Sequence, residues 1–301
     1  MGQGVMTGQV EGCATAVGWR TVVSVFKLRI GVLIMLSALA GLAIAPAPAP
    51  AALRVAVMAL AVLLASASAG AFNQLVEARS DRLMPRTCKR AFASGALHAG
   101  PGWLALIVAL LAVAVTATWA SVNAASALYL FLGAFTYAVV YTLGLKRRTW
   151  TNIVFGGLAG SFAVLTGASA ADPALGPLPL LLALVLFLWT PPHFWSLAIA
   201  NHAEYRAAGI PMLPVVVGVP RAARIVYWNT LLLVGVSLLP ALYGAGPVYL
   251  LGAVTGGAWF VHRTGALARQ PSRATAMAAF FASMLQLALL IAGVGIDAAL
   301  R

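Results

Sequence analysis

The sequence predicts an all-α protein: a polytopic membrane helix bundle of about nine transmembrane helices, built as a single domain over residues 1–301. Composition is the first reason, because 62% of the 301 residues are hydrophobic and only 8% are charged, whereas soluble domains carry about 25% charged residues. The second reason is a series of long apolar runs, and the third is a one-sided distribution of basic residues. These observations exclude a soluble enzyme, a disordered chain and a secreted disulfide scaffold.

Nine apolar runs, separated by short breaks, follow a polar N-terminal tail over residues 1–25. A helix that crosses a bilayer needs about 20 residues, and most of the runs approach that length. The first and the eighth runs are the shortest. The predicted spans lie near residues 30–45, 55–76, 102–119, 125–144, 152–171, 178–200, 225–243, 247–262 and 276–296.

The basic residues fall almost entirely on one side of this predicted topology. Of the 19 Lys and Arg residues, all but Arg54 and Arg301 lie in the N-terminal tail or in breaks that share its side. Basic loops stay in the cytoplasm, so we expect a bacterial inner (plasma) membrane protein with a cytoplasmic N-terminus and a periplasmic C-terminus. The net charge of +13 is then explained by the lipid bilayer as partner, and no nucleic acid is needed.

Three polar residues near the end of the second predicted span carry the strongest functional signal. Asn73, Glu77 and Asp81 are spaced i, i+4, i+8, so a helix places them on one face. Two carboxylates and an amide oxygen suit Mg²⁺, which usually shares its ligands with a substrate phosphate. A plain acidic stripe neutralised by nearby arginines is the alternative, but the basic run that follows, with Arg86 and Arg90, favours a diphosphate site.

Other acids and bases invite simpler interpretations. Asp172 and Asp297 lie in an outer break and near the C-terminus, so we expect both to be solvated. The run that contains Lys146 and Arg147 either anchors a cytoplasmic loop or adds positive charge to the diphosphate site.

A histidine follows two prolines in the sixth predicted span. Pro191 and Pro192 are expected to interrupt that helix, which is tolerated where the backbone lines a cavity. His193 is then either a packing residue or a functional group. If helix resumes, Glu204 shares a face with His193, eleven residues away. It then lies opposite Glu77 and Asp81, provided that the second and sixth predicted helices face one another.

Three stretches resemble the signature stretches of the protohaem IX farnesyltransferase (haem O synthase) family, a branch of the UbiA-type intramembrane prenyltransferases. They read NQLVEARSDRLMPRT, LKRRTWTNIVFGG, and LFLWTPPHFWSLAI followed by EYRAAGIPMLPVV. The resemblance implies a UbiA-type helix bundle that uses Mg²⁺ to join farnesyl diphosphate to a vinyl group of haem B, giving haem O and diphosphate. It also implies haem A synthase or terminal oxidase assembly as partners.

The resemblance assigns roles to individual residues. It implies haem binding by His193, diphosphate binding by Arg86, Arg90, Lys146 and Arg147, and catalysis with Mg²⁺ ligation by Asn73, Glu77, Asp81 and Glu204. Two departures stand out: the family usually has Asp where this chain has Glu77, and it usually has a further acid where this chain has Ala203. Two rival functions remain at this stage, a UbiA-type prenyltransferase with an aromatic quinone-precursor acceptor and a membrane transporter.

Overall fold

The fold is a bundle of α-helices, as the sequence predicts. The structure is a computed structural model that describes residues 18–300. Within that range the helices are α1 (Trp19–Val25), α2 (Leu28–Ile44), α3 (Ala52–Asp81), α4 (Pro101–Ser121), α5 (Ala124–Phe135), α6 (Asn152–Gly156), α7 (Leu158–Ala171), α8 (Pro177–Ala200), α9 (His202–Ala207), α10 (Leu213–Val217), α11 (Val219–Leu238), α12 (Pro247–Arg269) and α13 (Arg273–Ala299). A π-helical segment (Thr136–Leu145) extends α5, and a 3₁₀ segment (Leu239–Tyr243) extends α11.

The number of membrane spans is close to the predicted one. Among residues 18–300, seven helices are long and apolar enough to cross a membrane, or eight if α1 and α2 form one span bent by 41°. The helix α12 coincides with the eighth predicted span, but it is not one of the helices that meet this length and hydropathy criterion. Each predicted span coincides with a helix or a consecutive helical pair, so the count of about nine is approximate while the positions are right.

Local sequence signals set many of the helix ends. Proline occupies the first turn of α4, α8, α11 and α12, where the missing N–H costs nothing because no carbonyl precedes it in the helix. Asn123 caps α5 by accepting a hydrogen bond from the Ser126 N–H. Ser272 and Thr275 form a capping box at the start of α13, which satisfies two otherwise unpaired backbone donors.

The expected interruption at the two prolines is wrong. Helix α8 runs from Pro177 to Ala200 with Pro191 and Pro192 inside it, and both prolines are buried. Neighbouring helices can support a helix through proline within a membrane protein. The chain leaves helical geometry instead at Asn201, which has φ −115° and ψ 31°. As a result, Glu204 lies on the separate short helix α9 and not on a continuation of the helix that carries His193.

Two glycines bring α2 and α7 into backbone contact. A Cβ atom added to Gly167 would lie 1.7 Å from the carbonyl oxygen of Ala38, and one added to Gly41 would lie 2.0 Å from the carbonyl oxygen of Val164. Because only a hydrogen fits at these positions, the two helices cross at the closest distance that the backbone allows. Small residues at a helix crossing are the usual way to gain van der Waals contact inside a membrane.

A compact cluster near the C-terminal end of α8 holds the short connecting segments. Trp195 of α8 packs in one buried cluster with Met84 from the loop after α3, Tyr205 of α9 and Leu213 of α10. Burial of these side chains fixes both the loop after α3 and the helix α9 against the bundle. The fold thereby positions the two segments in which the sequence predicts functional residues.

Asp297 is not solvated, contrary to the expectation from its place near the C-terminus. The side chain is buried, and its two carboxylate oxygens accept hydrogen bonds from the backbone N–H groups of Val248 (3.1 Å) and Tyr249 (2.8 Å). These N–H groups belong to the first turn of α12 and have no partner within that helix. Asp297 therefore caps α12 from the end of α13, and the negative charge also complements the helix dipole.

Replacement of Asp297 by Ala should destabilise the protein, because two buried backbone donors would lose their partners. We expect a cost of about 1–3 kcal/mol, measurable as a lower melting temperature of the detergent-purified protein. Asp172→Ala is the matched control, since the Asp172 carboxylate accepts from a single backbone N–H in an exposed turn. Equal melting temperatures for the two variants would contradict the capping role.

Candidate active site

The residues Asn73, Glu77 and Asp81, here called the acidic stripe, lie buried at the C-terminal end of α3. They are 2%, 2% and 4% exposed. Each accepts a hydrogen bond from a different cation: Asn73 Oδ1 from Lys27 Nζ at 2.7 Å, Glu77 Oε2 from Lys146 Nζ at 2.5 Å, and Asp81 Oδ2 from Arg90 Nη1 at 2.8 Å. The structure therefore brings the predicted acids together with two of the predicted basic residues.

The three cations come from three different segments of the chain. Lys27 lies at the break between α1 and α2, Arg90 in the loop after α3, and Lys146 at the end of the π-helical segment. Lys27 adopts a left-handed backbone conformation with φ 49°, and its side chain passes over Gly70, where an added Cβ would lie 3.4 Å from Lys27 Cδ. The sequence alone does not single out Lys27 as a site residue, because its proximity to Asn73 depends on how α2 packs against α3.

The π-helical segment supplies an aromatic wall beside the stripe. Tyr137 and Tyr141 stack with their ring centroids 5.6 Å apart, and the Nζ atoms of Lys27 and Lys146 lie 6.0 Å and 5.8 Å from these two rings, respectively. Thr142 accepts a hydrogen bond from Asn73 Nδ2 at 3.2 Å. Wider π turns often occur at functional sites, and the sequence signal for this wall is a pair of tyrosines spaced i, i+4 ahead of a basic run.

The remaining predicted basic residues, Arg86 and Arg147, also lie at this end of α3. Arg147 Nη2 donates a hydrogen bond to Ser80 Oγ at 2.5 Å, one residue before Asp81. Arg86 Nη2 donates to the Tyr205 hydroxyl at 3.3 Å. The contact between Arg86 and Tyr205 joins the loop after α3 to helix α9. Three of the four predicted diphosphate-binding cations therefore contact the stripe or its neighbour Ser80, and the fourth, Arg86, contacts α9.

Glu204 lies on the short helix α9, whereas the acidic stripe lies on α3. It lines a cavity of about 250 Å³ together with Ala200, Asn201, Ala203 and Arg273, and its buried Oε2 atom has no hydrogen-bond partner among the described residues. Between residues 18 and 300, no three His, Cys, Asp or Glu side chains are arranged to hold a metal ion. No residue of the acidic stripe lines the Glu204 cavity.

The acidic stripe has the donor chemistry that Mg²⁺ requires when a substrate phosphate shares the ion. One oxygen of each carboxylate is paired with a cation, whereas Glu77 Oε1 and Asp81 Oδ1 hydrogen-bond no residue in the described part of the chain. Mg²⁺ is commonly held by one or two carboxylates, water and phosphate oxygens. The residues present therefore fit a magnesium diphosphate better than a magnesium ion held by protein ligands alone.

His193 is the centre of a second polar cluster within the bundle. Its ring stacks between Trp189 (centroids 4.2 Å apart) and Phe280 of α13 (4.5 Å), and the ring of Phe194 meets its edge at 4.9 Å. The Nδ1 atom lies 2.7 Å from the Ser283 hydroxyl oxygen. Trp189 and Phe194 are neighbours of His193 on α8, but Phe280 and Ser283 come from α13, which only the tertiary structure places here.

Lys146 should be essential for stability, because its removal leaves the Glu77 carboxylate buried without a counter-charge. We expect Lys146→Ala to cost about 3–5 kcal/mol, the usual effect of breaking a buried ion pair, and the double variant Glu77→Gln with Lys146→Met to recover most of that loss. The melting temperature of the purified variants measures both effects. Arg148→Ala, which removes a neighbouring exposed cation, is the control. Equal melting temperatures for Lys146→Ala and Arg148→Ala would refute the interpretation.

Comparison with known proteins connects this geometry to a family. Residues 34–286 match the model of the UbiA prenyltransferase family. The chain is 53% identical over 278 residues to protohaem IX farnesyltransferase 2 of Paramagnetospirillum magneticum, covering 92% of this chain and 96% of the relative. It is 40% identical over 283 residues to protohaem IX farnesyltransferase of Legionella pneumophila strain Corby, covering 93% and 96% of the two chains.

Solved structures share the fold. A structure from work on digeranylgeranylglyceryl phosphate synthase superposes with a TM-score of 0.77 at 15% identity, covering 94% of this chain and 99% of the other. A UbiA homologue from Archaeoglobus fulgidus bound to DMAPP and Mg²⁺ gives a TM-score of 0.66 at 16% identity, covering 89% and 98%. Because the family model spans most of the sequence and the relatives align nearly end to end, this chain belongs to the UbiA prenyltransferase family.

Proposed function

We propose that this protein transfers the farnesyl group of farnesyl diphosphate to a vinyl group of haem B and releases haem O and diphosphate. The observation that carries the proposal is the 53% identity, over nearly the full length of both chains, to a protein named for that activity. Family membership alone gives a prenyltransferase and leaves the acceptor open. The aromatic cluster around His193 supports a large planar acceptor such as a porphyrin.

The acidic stripe and its cations are proposed to hold the diphosphate. Arg90 and Lys146 already contact the stripe, and Arg147 contacts Ser80 beside it. Arg86 contacts Tyr205 of α9. We expect these four cations to bind a diphosphate whose Mg²⁺ is held by the acidic stripe. Bound Mg²⁺ would neutralise charge on the leaving diphosphate. The arginine and lysine side chains donate hydrogen bonds that strengthen as that charge develops.

The reaction breaks the bond between farnesyl C1 and the diphosphate oxygen, and the electron pair leaves with diphosphate. The vinyl group of haem B bonds to C1, and water captures the cation left on the porphyrin side chain, with loss of a proton. The rings of Tyr137 and Tyr141 line the site beside the lysine side chains. They help to exclude water from the farnesyl carbocation before the vinyl group attacks.

Glu204 and His193 receive separate roles in this proposal. Glu204 contributes a carboxylate from α9, with Tyr205 linking that helix to Arg86. The cavity that Glu204 lines contains no residue of the acidic stripe. We therefore propose that Glu204 becomes a Mg²⁺ ligand, in addition to the acidic stripe, only when the diphosphate substrate is bound. His193, enclosed by aromatic rings in the interior of the bundle, is proposed to bind haem.

We further propose that residues 1–301 act as one domain in a bacterial inner membrane, with the N-terminus in the cytoplasm. The one-sided distribution of Lys and Arg supports this orientation, which places the acidic stripe near the cytoplasmic surface. Haem O would then pass to haem A synthase or to terminal oxidase assembly.

Reporter fusions test the orientation. We expect fusions in the basic breaks to report a cytoplasmic location and fusions in the neutral breaks to report a periplasmic one, because the basic loops are retained inside. Two contrary signals among eight would overturn the topology. The fusion points are Lys89, Arg147, Arg206 and Arg269 for the cytoplasm, and Ala49, Ser121, Ala174 and Gly246 for the periplasm.

Mass spectrometry of haem extracted from membranes supplied with haem B and farnesyl diphosphate tests the reaction. We expect haem O from the wild type, and a loss of roughly 100-fold or more in rate for Asp81→Ala, because a contact to the developing charge is removed. Asp172→Ala, in an exposed turn, is the control and should keep its rate. A prenylated quinone precursor in place of haem O, or transport of a solute without any prenylated product, would overturn the proposal.

A further inference from the structure

A single hydroxyl group on α13, that of Ser283, determines which ring nitrogen of His193 carries the proton. The Ser283 Oγ atom lies 2.6 Å from the Phe280 carbonyl oxygen and 2.7 Å from His193 Nδ1. Two oxygens at that separation need a proton between them, and a serine hydroxyl has only one proton to donate. Ser283 therefore donates to Phe280 and accepts a hydrogen bond from His193, so the histidine carries its proton on Nδ1.

The surrounding side chains hold the imidazole in this orientation. Trp189 covers one face of the ring at an interplanar angle of 20°, and Phe280 covers the other at 28°. The Trp189 indole Nε1–H donates a hydrogen bond to the Ser283 carbonyl oxygen at 2.8 Å, so Ser283 also holds the ring that stacks on His193. A ring stacked on both faces and bonded at Nδ1 cannot exchange its two nitrogens without leaving the stack.

The opposite nitrogen, Nε2, is left with an unshared lone pair. It hydrogen-bonds no residue in the described range, and His193 keeps 8% of its surface exposed. An unprotonated nitrogen cannot donate a hydrogen bond to a carboxylate, so it does not suit the propionate edge of a porphyrin. It does suit a metal ion, because neutral imidazole is a common iron ligand when the other nitrogen donates to a fixed acceptor.

We propose that His193 Nε2 is an axial ligand to the iron of the substrate haem, and that Ser283 is the positioning residue that fixes the required tautomer. This inference rests on the proposed function, in which haem B is the prenyl acceptor. Iron ligation anchors the centre of the porphyrin at a rigid point between α8 and α13, so that the vinyl group is presented from a fixed position.

Binding of two porphyrins to the purified full-length protein tests the assignment. Ferric haem B and metal-free protoporphyrin IX are titrated without farnesyl diphosphate, and the haem complex is examined by Soret absorption and electron paramagnetic resonance. Ser283→Ala should weaken haem binding about 10- to 100-fold, the usual effect of removing a partner of a ligating histidine, and should change the spectra. Its affinity for protoporphyrin IX should stay unchanged, and Ser283→Thr should restore haem binding.

Ser196→Ala is the matched control, because Ser196 is also buried, three residues after His193 on α8, but bonds only the Pro192 carbonyl. It should leave both porphyrin affinities at the wild-type value. His193→Ala should abolish the histidine-ligated spectrum, and added imidazole should restore it. If His193→Ala does not fold, the Ser283 variants still decide the question.

Equal losses of haem and protoporphyrin affinity in Ser283→Ala would overturn the inference, since a packing defect affects both ligands. An unchanged haem spectrum in folded His193→Ala would also overturn it. Haem O formation by the wild type is measured separately by mass spectrometry. If the wild type forms haem O but the haem spectrum of His193→Ala is unchanged, iron ligation is rejected and the proposed reaction stands. If the wild type shows a histidine-ligated spectrum but forms no haem O, the proposed reaction is rejected and iron ligation stands.

Discussion

The carboxylates of Glu77 and Asp81 are buried at the end of a membrane helix, where an unpaired charge costs several kcal/mol. Each must be matched by a cation, and the matching cations come from elsewhere in the chain: Lys146 from the π-helical segment and Arg90 from the loop after α3. This constraint explains why the loop and the π-helical segment take the positions they do. The proposed diphosphate site is therefore also a structural centre, and its ion pairs join three segments of the bundle.

The same arrangement suits the proposed binding of a highly charged substrate in a protein with few charged residues. The cations occupy one oxygen of each carboxylate, and the other oxygen remains available for Mg²⁺. A diphosphate bound as proposed would add negative charge to a site where the basic side chains are already in place. Little reorganisation is needed at the moment of reaction, which is the condition under which electrostatic stabilisation is most effective.

A separate aromatic cluster lies around His193, and its construction differs from that of the acidic stripe. Stacked rings and one serine hydroxyl hold the imidazole, without any charged neighbour among the contacts that fix the ring. The division between a charged end and an aromatic interior corresponds to the two kinds of substrate in the proposed reaction, a diphosphate and a porphyrin. Helices α8 and α13, which form the aromatic cluster, meet through buried side chains such as Leu182 and Leu290.

The sequence by itself determined the features that depend on local periodicity and composition. Apolar run lengths predicted the positions of the spans, and a repeat of four residues placed Asn73, Glu77 and Asp81 on one face of α3. Only the tertiary structure decided which distant residues complete each cluster: Lys27 with Asn73, Ser283 with His193, and Asp297 with the first turn of α12. It also placed Glu204 on the separate helix α9 and continued α8 through its two prolines. The physical reason is that burial and pairing depend on which helices pack together, and hydrophobic patterning fixes where a helix lies in the membrane without specifying its neighbours.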